Sequence, residues 1–269
     1  MNKEIGSYLH TRLSIQLSLN GLSFCITDTV NQELLSVQRR RFSSPLSEHH
    51  LKDALETFLE AHDLPSQSFE SVVVIHTNAL FNLVPLSLFD KTKLHEYVKF
   101  NAQLLPNDEL AFDHIAHKDM KVVYVPFTAA NNYIFDCFGP FDFKHHASLH
   151  LEELLGIEHE ASEQACYAHI DQGFLNLTVI KNKKLQFFNS FQISSTEDLL
   201  YYILFSLEQL EIDPKEVQML FYGETTEAEP YYKKALQYLN HCSIYRPSHT
   251  QKIPQHLLDY HFDRITLNA

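Results

Sequence analysis

Seventeen of the 269 residues are histidine, and the tightest group is His145, His146 and His150, followed at once by Glu152 and Glu153. If a helix has begun there, His146 and His150 stand four residues apart on one face and could hold one metal ion. No second cluster at ligand spacing completes a tetrahedral set. No metal is therefore expected, and the rings are left to pack, to cap a helix or to meet solvent. The four cysteines, Cys25, Cys137, Cys166 and Cys242, contain no C-x-x-C pair and lack the density of a secreted disulfide framework. Four buried free thiols are the expectation. Scattered Ser, Cys and His give no nucleophile with its base, and no catalytic residue is assigned.

Glycine limits the chemistry further. There are six, Gly6, Gly21, Gly139, Gly156, Gly173 and Gly223, and no two are closer than fifteen positions. Dinucleotide fingerprints, Walker A loops and Gly-Gly elbows need close-set glycines so that backbone amides can approach a phosphate or oxyanion, and none of these can be built here. Lys plus Arg number 21 against 34 Asp plus Glu, a formal charge of −13, which argues against a phosphate-backbone binder, so no nucleic acid partner is expected. The one basic run, Arg39-Arg-Arg41, splits between the two faces of a strand, where its ordinary role is to keep an edge from pairing with another chain. Phe135, Phe138, Phe141 and Phe143, broken by Gly139-Pro140, are expected in core and turn; if exposed, they would mark a protein interface. Met1 to Leu19 holds no apolar leader core, and the longest apolar run, Leu199 to Phe205, is seven residues, too short to span a membrane. A soluble cytoplasmic protein is the expectation.

The elements that must position these residues fall into a repeat. Leu13 to Leu19 alternates with period two, turns at Asn20-Gly21, and continues as Leu22 to Ile26; Asn-Gly between alternating runs signals a hairpin with both turn residues at positive φ. A third strand, Leu34 to Phe42, precedes a helix carrying Leu51, Leu55, Phe58 and Leu59, and then Val72 to Ile75. The second half repeats this β-β-β-α-β order in Cys166 to Ile170, Leu175 to Ile180, Leu185 to Phe191, a helix capped by Ser195 with Asp198, and Val217 to Phe221. Sliding the halves by 153 residues sets Leu17, Leu22, Phe24 and Ile26 over Ile170, Leu175, Leu177 and Val179. Between the halves, Leu94 to Val98 and Leu104-Leu-Pro106 suggest a helix bracketed by Pro85 and Pro106, Val122 to Val125 a strand, Asn132 to Phe138 a helix, and Lys144 to Leu155 begins extended and ends helical. A last helix is expected from Gln255 to about Phe262.

This plan resembles the actin, Hsp70 and sugar-kinase superfamily, whose core is the ribonuclease H-like fold. The stretch Leu83-Val-Pro85, the helix to Leu104-Leu-Pro106 and the acidic Asn107 to Asp113 are similar to the insertion of PilM and FtsA proteins. With Tyr124-Val-Pro126 and the His-rich approach to the mid-chain helix, the whole chain also looks like an uncharacterised Bacteroidetes family, domain of unknown function 3822. The resemblance implies an α/β, duplicated, actin-like ATPase fold in two lobes. The expected division is 1–84 as first lobe, completed by about 144–160, with 85–143 an inserted subdomain and 161–269 the second lobe.

Members of that superfamily bind ATP with magnesium through an Asp-x-Gly hairpin turn in each lobe, and the resemblance carries this residue by residue. Asp171-Gln-Gly173 matches in the second lobe, with Phe174 where a small hydroxyl residue is usual. The first-lobe triplet is Ser18-Leu-Asn20, which lacks the acid. Of the adenosine-side Gly-Gly pair only Gly223-Glu224 remains, and Glu224 adds negative charge near a nucleotide. Asp171, Gly173 and Gly223 are thus the candidate nucleotide residues of a degenerate site. Two functions follow from the resemblance: a non-catalytic scaffold or adaptor that binds a protein partner through its inserted subdomain, as PilM-like proteins carry a peptide, or an ATP-binding protein or enzyme using the interlobe cleft.

Overall fold

The computed structural model describes residues 10–100, 104, 109–115, 118–157, 164–171, 173–223, 225–226, 229–246 and 252–254. The expected C-terminal helix at 255–262, together with Gln172 and Glu224, lies outside them. Two compact units account for the chain, one formed mainly by Met1–Glu152 and the other by Glu153–Ser248.

The first unit opens with a meander of β1 (Thr11–Ser18), β2 (Gly21–Asp28) and β3 (Glu33–Arg41), followed by α1 (Glu48–Glu60) and β4 (Ser71–Thr77). β4 lies parallel to β1 on the side away from β2, and β8 (Asp142–His145) lies parallel to β4, giving the order β3-β2-β1-β4-β8. The second unit builds the same sheet from β9 (Gln164–Asp171), β10 (Phe174–Lys181), β11 (Lys184–Gln192), β12 (Gln218–Gly223) and β13 (His241–Ile244), in the order β11-β10-β9-β12-β13. The matching order and strand directions place the hairpins β1/β2 and β9/β10 at equivalent positions. Leu13, Ile15, Leu17, Leu22, Phe24 and Ile26 line one core, and Cys166, Ala168, Ile170, Leu175, Leu177 and Val179 line the other, each set 153 residues from its counterpart. Period-two alternation explains the match, since every second side chain of both hairpins faces the covering helices.

Those helices form for legible reasons. Ser47 accepts the His50 amide and starts α1, whose Leu51, Leu55, Phe58 and Leu59 fall on one face. In the second unit Ser195 accepts the Asp198 amide, whereas Asp198 accepts the amide of Ser194 and not that of Ser195, so α5 (Thr196–Gln209) opens with a cap one residue displaced from the expected box. α3 (Thr128–Phe138) adds Ala130 and Ile134 to the first core, and α6 (Pro230–Ala235) adds Tyr232 and Ala235 to the second.

The units differ in the crossover to their last strand. Residues 224–240, seventeen positions, join β12 to β13, whereas residues 78–141, sixty-four positions, join β4 to β8. The longer crossover builds its own sheet, β5-β7-β6, from β5 (Phe81–Pro85), β6 (Ala111–His114) and β7 (Met120–Tyr124), with α2 (Leu94–Val98) beside it. Its core is Val84, Val98, Val123 and Val125, ringed by Phe89, Tyr97 and Phe112. Within 85–143, the residues up to Tyr124 supply this small sheet and helix, while α3 and β8 go to the core and sheet of the first lobe. α4 (His146–Gly156) follows β8 directly.

Three expectations change. The first hairpin closes on Ser18 and Gly21, so its turn is Leu19-Asn20, and neither Asn20 nor Gly21 takes positive φ. The Ser18 hydroxyl accepts the Asn20 amide, and the carbonyls of Leu19 and Asn20 accept from Leu46 and Phe42, which fixes the turn one residue early. The thiols are all free, but only Cys25 and Cys166 are buried; Cys137 and Cys242 are half-buried. The phenylalanine stretch divides: Phe138 and Phe141 pack on the first core, whereas Phe135 and Phe143 are 56% and 37% exposed. The arginine run lies on β3, an outer strand, as its composition suggests. No helix among the described residues is long and apolar enough to cross a membrane.

Leu22 and Leu175 hold equivalent, fully buried places in the two cores. Leu22→Ala and Leu175→Ala should each cost about 2–5 kcal/mol in urea unfolding. A cost below about 1 kcal/mol at either would contradict the paired-core description.

Candidate functional site

The three residues assigned from the resemblance gather at one end of the second sheet. Asp171 ends β9, is 3% exposed and pairs across the turn with Phe174; Gly173 completes the turn at φ +80°; Gly223 ends β12 beside Ile170. Gly223 has a packing reason of its own. At φ +86° a Cβ there would lie 2.4 Å from the Ile170 carbonyl oxygen and 2.8 Å from the His169 ring, so only glycine fits against β9. The equivalent turn of the first unit presents Ser18, fully buried, in the place of Asp171, and Asn20 in the place of Gly173. Above both turns the sheets also share a cross-strand polar pair: Ser23 donates to Gln16 at 3.1 Å, and Asn176 meets His169 at 3.1 Å. The scaffold of the two turns is thus preserved while the acid survives in one alone.

The histidine cluster is buried and joins the insertion to the first sheet. His145, His146 and His150 are each at most 4% exposed, and His76 at the end of β4 joins them. The His145 and His146 rings lie 4.4 Å apart, and His146 and His150 5.7 Å. His145 Nε2 meets the Asn78 carbonyl, and His76 Nδ1 accepts the Phe127 amide at 3.2 Å, which places the His76 proton on Nε2. No group of three potential metal ligands is assembled among the described residues. Asp113 of β6 is the fastener of this region: it accepts from the His145 amide at 2.7 Å, the Ser148 hydroxyl at 2.5 Å and the Tyr124 hydroxyl at 3.1 Å. Three donors replace the water that burial removes, yet burial still raises its pKa above the ordinary carboxylate value.

Next to this fastener a groove of about 400 Å³ runs between β6 and α3, bordered by Glu109, Ala111, Asn131, Phe135, Phe141 and Phe143. Phe143 also packs edge-on against His76, so the groove floor rests on the histidine cluster. The Asn131 side chain lies within hydrogen-bonding reach of His76, where it opposes the effect of burial on that ring. Sequence reasoning named the phenylalanines but not Glu109, Asn131 or His76. Helix periodicity holds the one usable signal, for Phe135, which lies off the four-residue spacing of the buried Ala130 and Ile134.

The duplicated sheets and the insertion in the crossover from β4 to β8 define a protein of the actin-like ATPase fold. The structure superposes on a Bacteroides thetaiotaomicron protein with actin-like ATPase fold and unknown function at a TM-score of 0.79, with 20% identity over 91% of this chain and 94% of that one. A type IV pilus biogenesis PilM–PilN complex matches at a TM-score of 0.63, with 12% identity and 96% of each chain covered. The chain belongs to the family described as Protein of unknown function (DUF3822), which it matches over residues 2–242. No curated protein matches it in sequence.

Burial holds the His76 pKa down to about 3, against a smaller opposing effect of Asn131, and burial with His146 and His76 alongside pushes His145 down as well. Both rings therefore take up protons in the unfolded chain first. The stability they leave intact above the ordinary histidine value of about 6.5 is lost as pH falls from there toward 3. Asp113, raised by burial, acts in the opposite sense. Between pH 7 and pH 5 the unfolding free energy should fall, and His76→Gln should flatten that slope by about 1 kcal/mol per pH unit. An unchanged slope in a urea–pH series would show that His76 does not sit neutral in the folded state.

Proposed function

We propose that the protein is a non-catalytic adaptor of actin-like fold, acting in the cytoplasm, that holds a segment of a protein partner in the groove beside its inserted subdomain. The observation that carries this reading is the pair of exposed phenylalanines, Phe135 and Phe143, on a concave surface. Exposed large apolar side chains around a groove are the ordinary mark of a protein interface. The likeness to a chain solved as a PilM–PilN complex supports a partner-binding role for this fold. The nucleotide turns support the non-catalytic part. Ser18 offers no carboxylate and its hydroxyl is engaged with Asn20, Phe174 stands beside Asp171, and the Gly223 backbone is explained by packing. A metal bridging phosphates needs carboxylate help, which one turn alone supplies poorly.

The second reading, ATP binding at the second-lobe turn, rests on Asp171 and on Gly173 at positive φ. The two separate cleanly. A ligand at a hundred times its dissociation constant adds about 2.7 kcal/mol of stability. Millimolar ATP with magnesium should leave the melting temperature of the wild type unchanged, and Asp171→Asn should behave alike. A clear shift, lost in Asp171→Asn, would put the nucleotide reading first. For the adaptor, Phe135→Asp should keep the wild-type melting temperature and abolish crosslinking of the partner captured in the native cell. Undiminished crosslinking would remove the groove from the reading.

A further inference from the structure

β6 is the outer strand of its small sheet. Its ladder with β7 begins at Ala111, and among the described residues no strand pairs with its other edge. Toward His114 that edge is approached by the first lobe, where Asp113 takes the His145 amide and the Ser148 hydroxyl. Its first residue, Ala111, lines the groove together with Leu110 and Glu109, which precede the strand. A strand edge beside a cavity presents amides and carbonyls at alternate residues, and an extended chain satisfies them in register. A helix laid in the same groove would bond its own backbone and leave the edge unpaired, at the cost of each desolvated group.

The opposite wall answers to the same occupant. Phe135, Phe141 and Phe143 offer apolar surface for side chains that an extended chain projects at every second residue. Among the described residues of the lining Glu109 alone is charged, on a chain whose formal charge is −13, so a cation is favoured at that end. We propose that the groove takes an extended segment of a partner protein that joins β6 as an additional strand, with apolar side chains at alternate positions and a Lys or Arg opposite Glu109. This rests on the adaptor reading and gives its partner a chemistry.

The probe is a phage-displayed library of random dodecapeptides panned on the full chain, with enriched peptides then measured by fluorescence anisotropy. Enriched sequences should place apolar residues at i, i+2 and i+4 with a basic residue near one end. N-methylation of alternate backbone amides should weaken binding at least about tenfold in one phase and little in the other, and Glu109→Lys should change the preferred basic residue to Asp or Glu. Apolar spacing of three and four, or N-methyl effects without alternation, would overturn strand addition while leaving the adaptor reading in place. Retained acid-free, basic peptides on Glu109→Lys would overturn the charge assignment. Peptides indifferent to Phe135→Asp, or no enrichment at all, would overturn the proposal together with the groove as the partner site.

Discussion

Parallel pairing is the constraint from which the rest of the structure follows. β1 accepts β2 through a two-residue turn, but β4 and β8 run parallel to it and cannot be reached by a hairpin, so the chain must cross a sheet face each time. α1 and α3 make those crossings in the first unit and bury the apolar face of the hairpin as they do so. In the second unit α5 and α6 do the same work. The crossover before β8 is also where the chain can lengthen without disturbing a ladder, and the small sheet is placed there. The groove, the histidine cluster and the Asp113 contacts all lie along the return from that excursion to β8.

How much of this is readable in the residues depends on the range of the interaction. The hairpins, the helices they feed and the 153-residue correspondence are legible because alternation and capping are local, as Leu17 over Ile170 and Ser195 with Asp198 show. The first turn is legible only approximately: Asn20-Gly21 carries the stronger statistical signal, but the ladder register and the Ser18 hydroxyl decide, and they select Leu19-Asn20. β6 is harder still, since the acidic run before it reads as loop while Leu110 and Phe112 turn toward the small core. His145 and His146 are polar in any sequence-based reading, and nothing local reveals that Asn78, Phe81 and Tyr124 close over them. The groove is illegible for the same reason, being assembled from β6 and α3, segments some twenty residues apart.

The buried polar cluster has an energetic logic distinct from the two hydrophobic cores. Apolar packing tolerates sliding, whereas Asp113 is satisfied only when the His145 amide, Ser148 and Tyr124 all reach it together. Any displacement of the small sheet from the first lobe strands a desolvated carboxylate. The insertion is thereby held to one placement by three hydrogen bonds, and Lys144 lends the carboxylate a further attraction.

The unequal crossovers carry a kinetic consequence. Closing a chain of sixty-four residues instead of seventeen costs only about 1.2 kcal/mol more loop entropy, so the longer excursion is thermodynamically mild. Its effect on the order of events is larger, because contacts distant in sequence form slowly. β13 reaches β12 across a short intervening segment, while β8 has to wait for β5, β6 and β7 to be made or bypassed before it meets β4. The Glu153–Ser248 unit is therefore the one that completes its sheet sooner during refolding, and the first unit, although synthesised earlier, is left for a time with β4 as an open, apolar strand edge that a chaperone would find first.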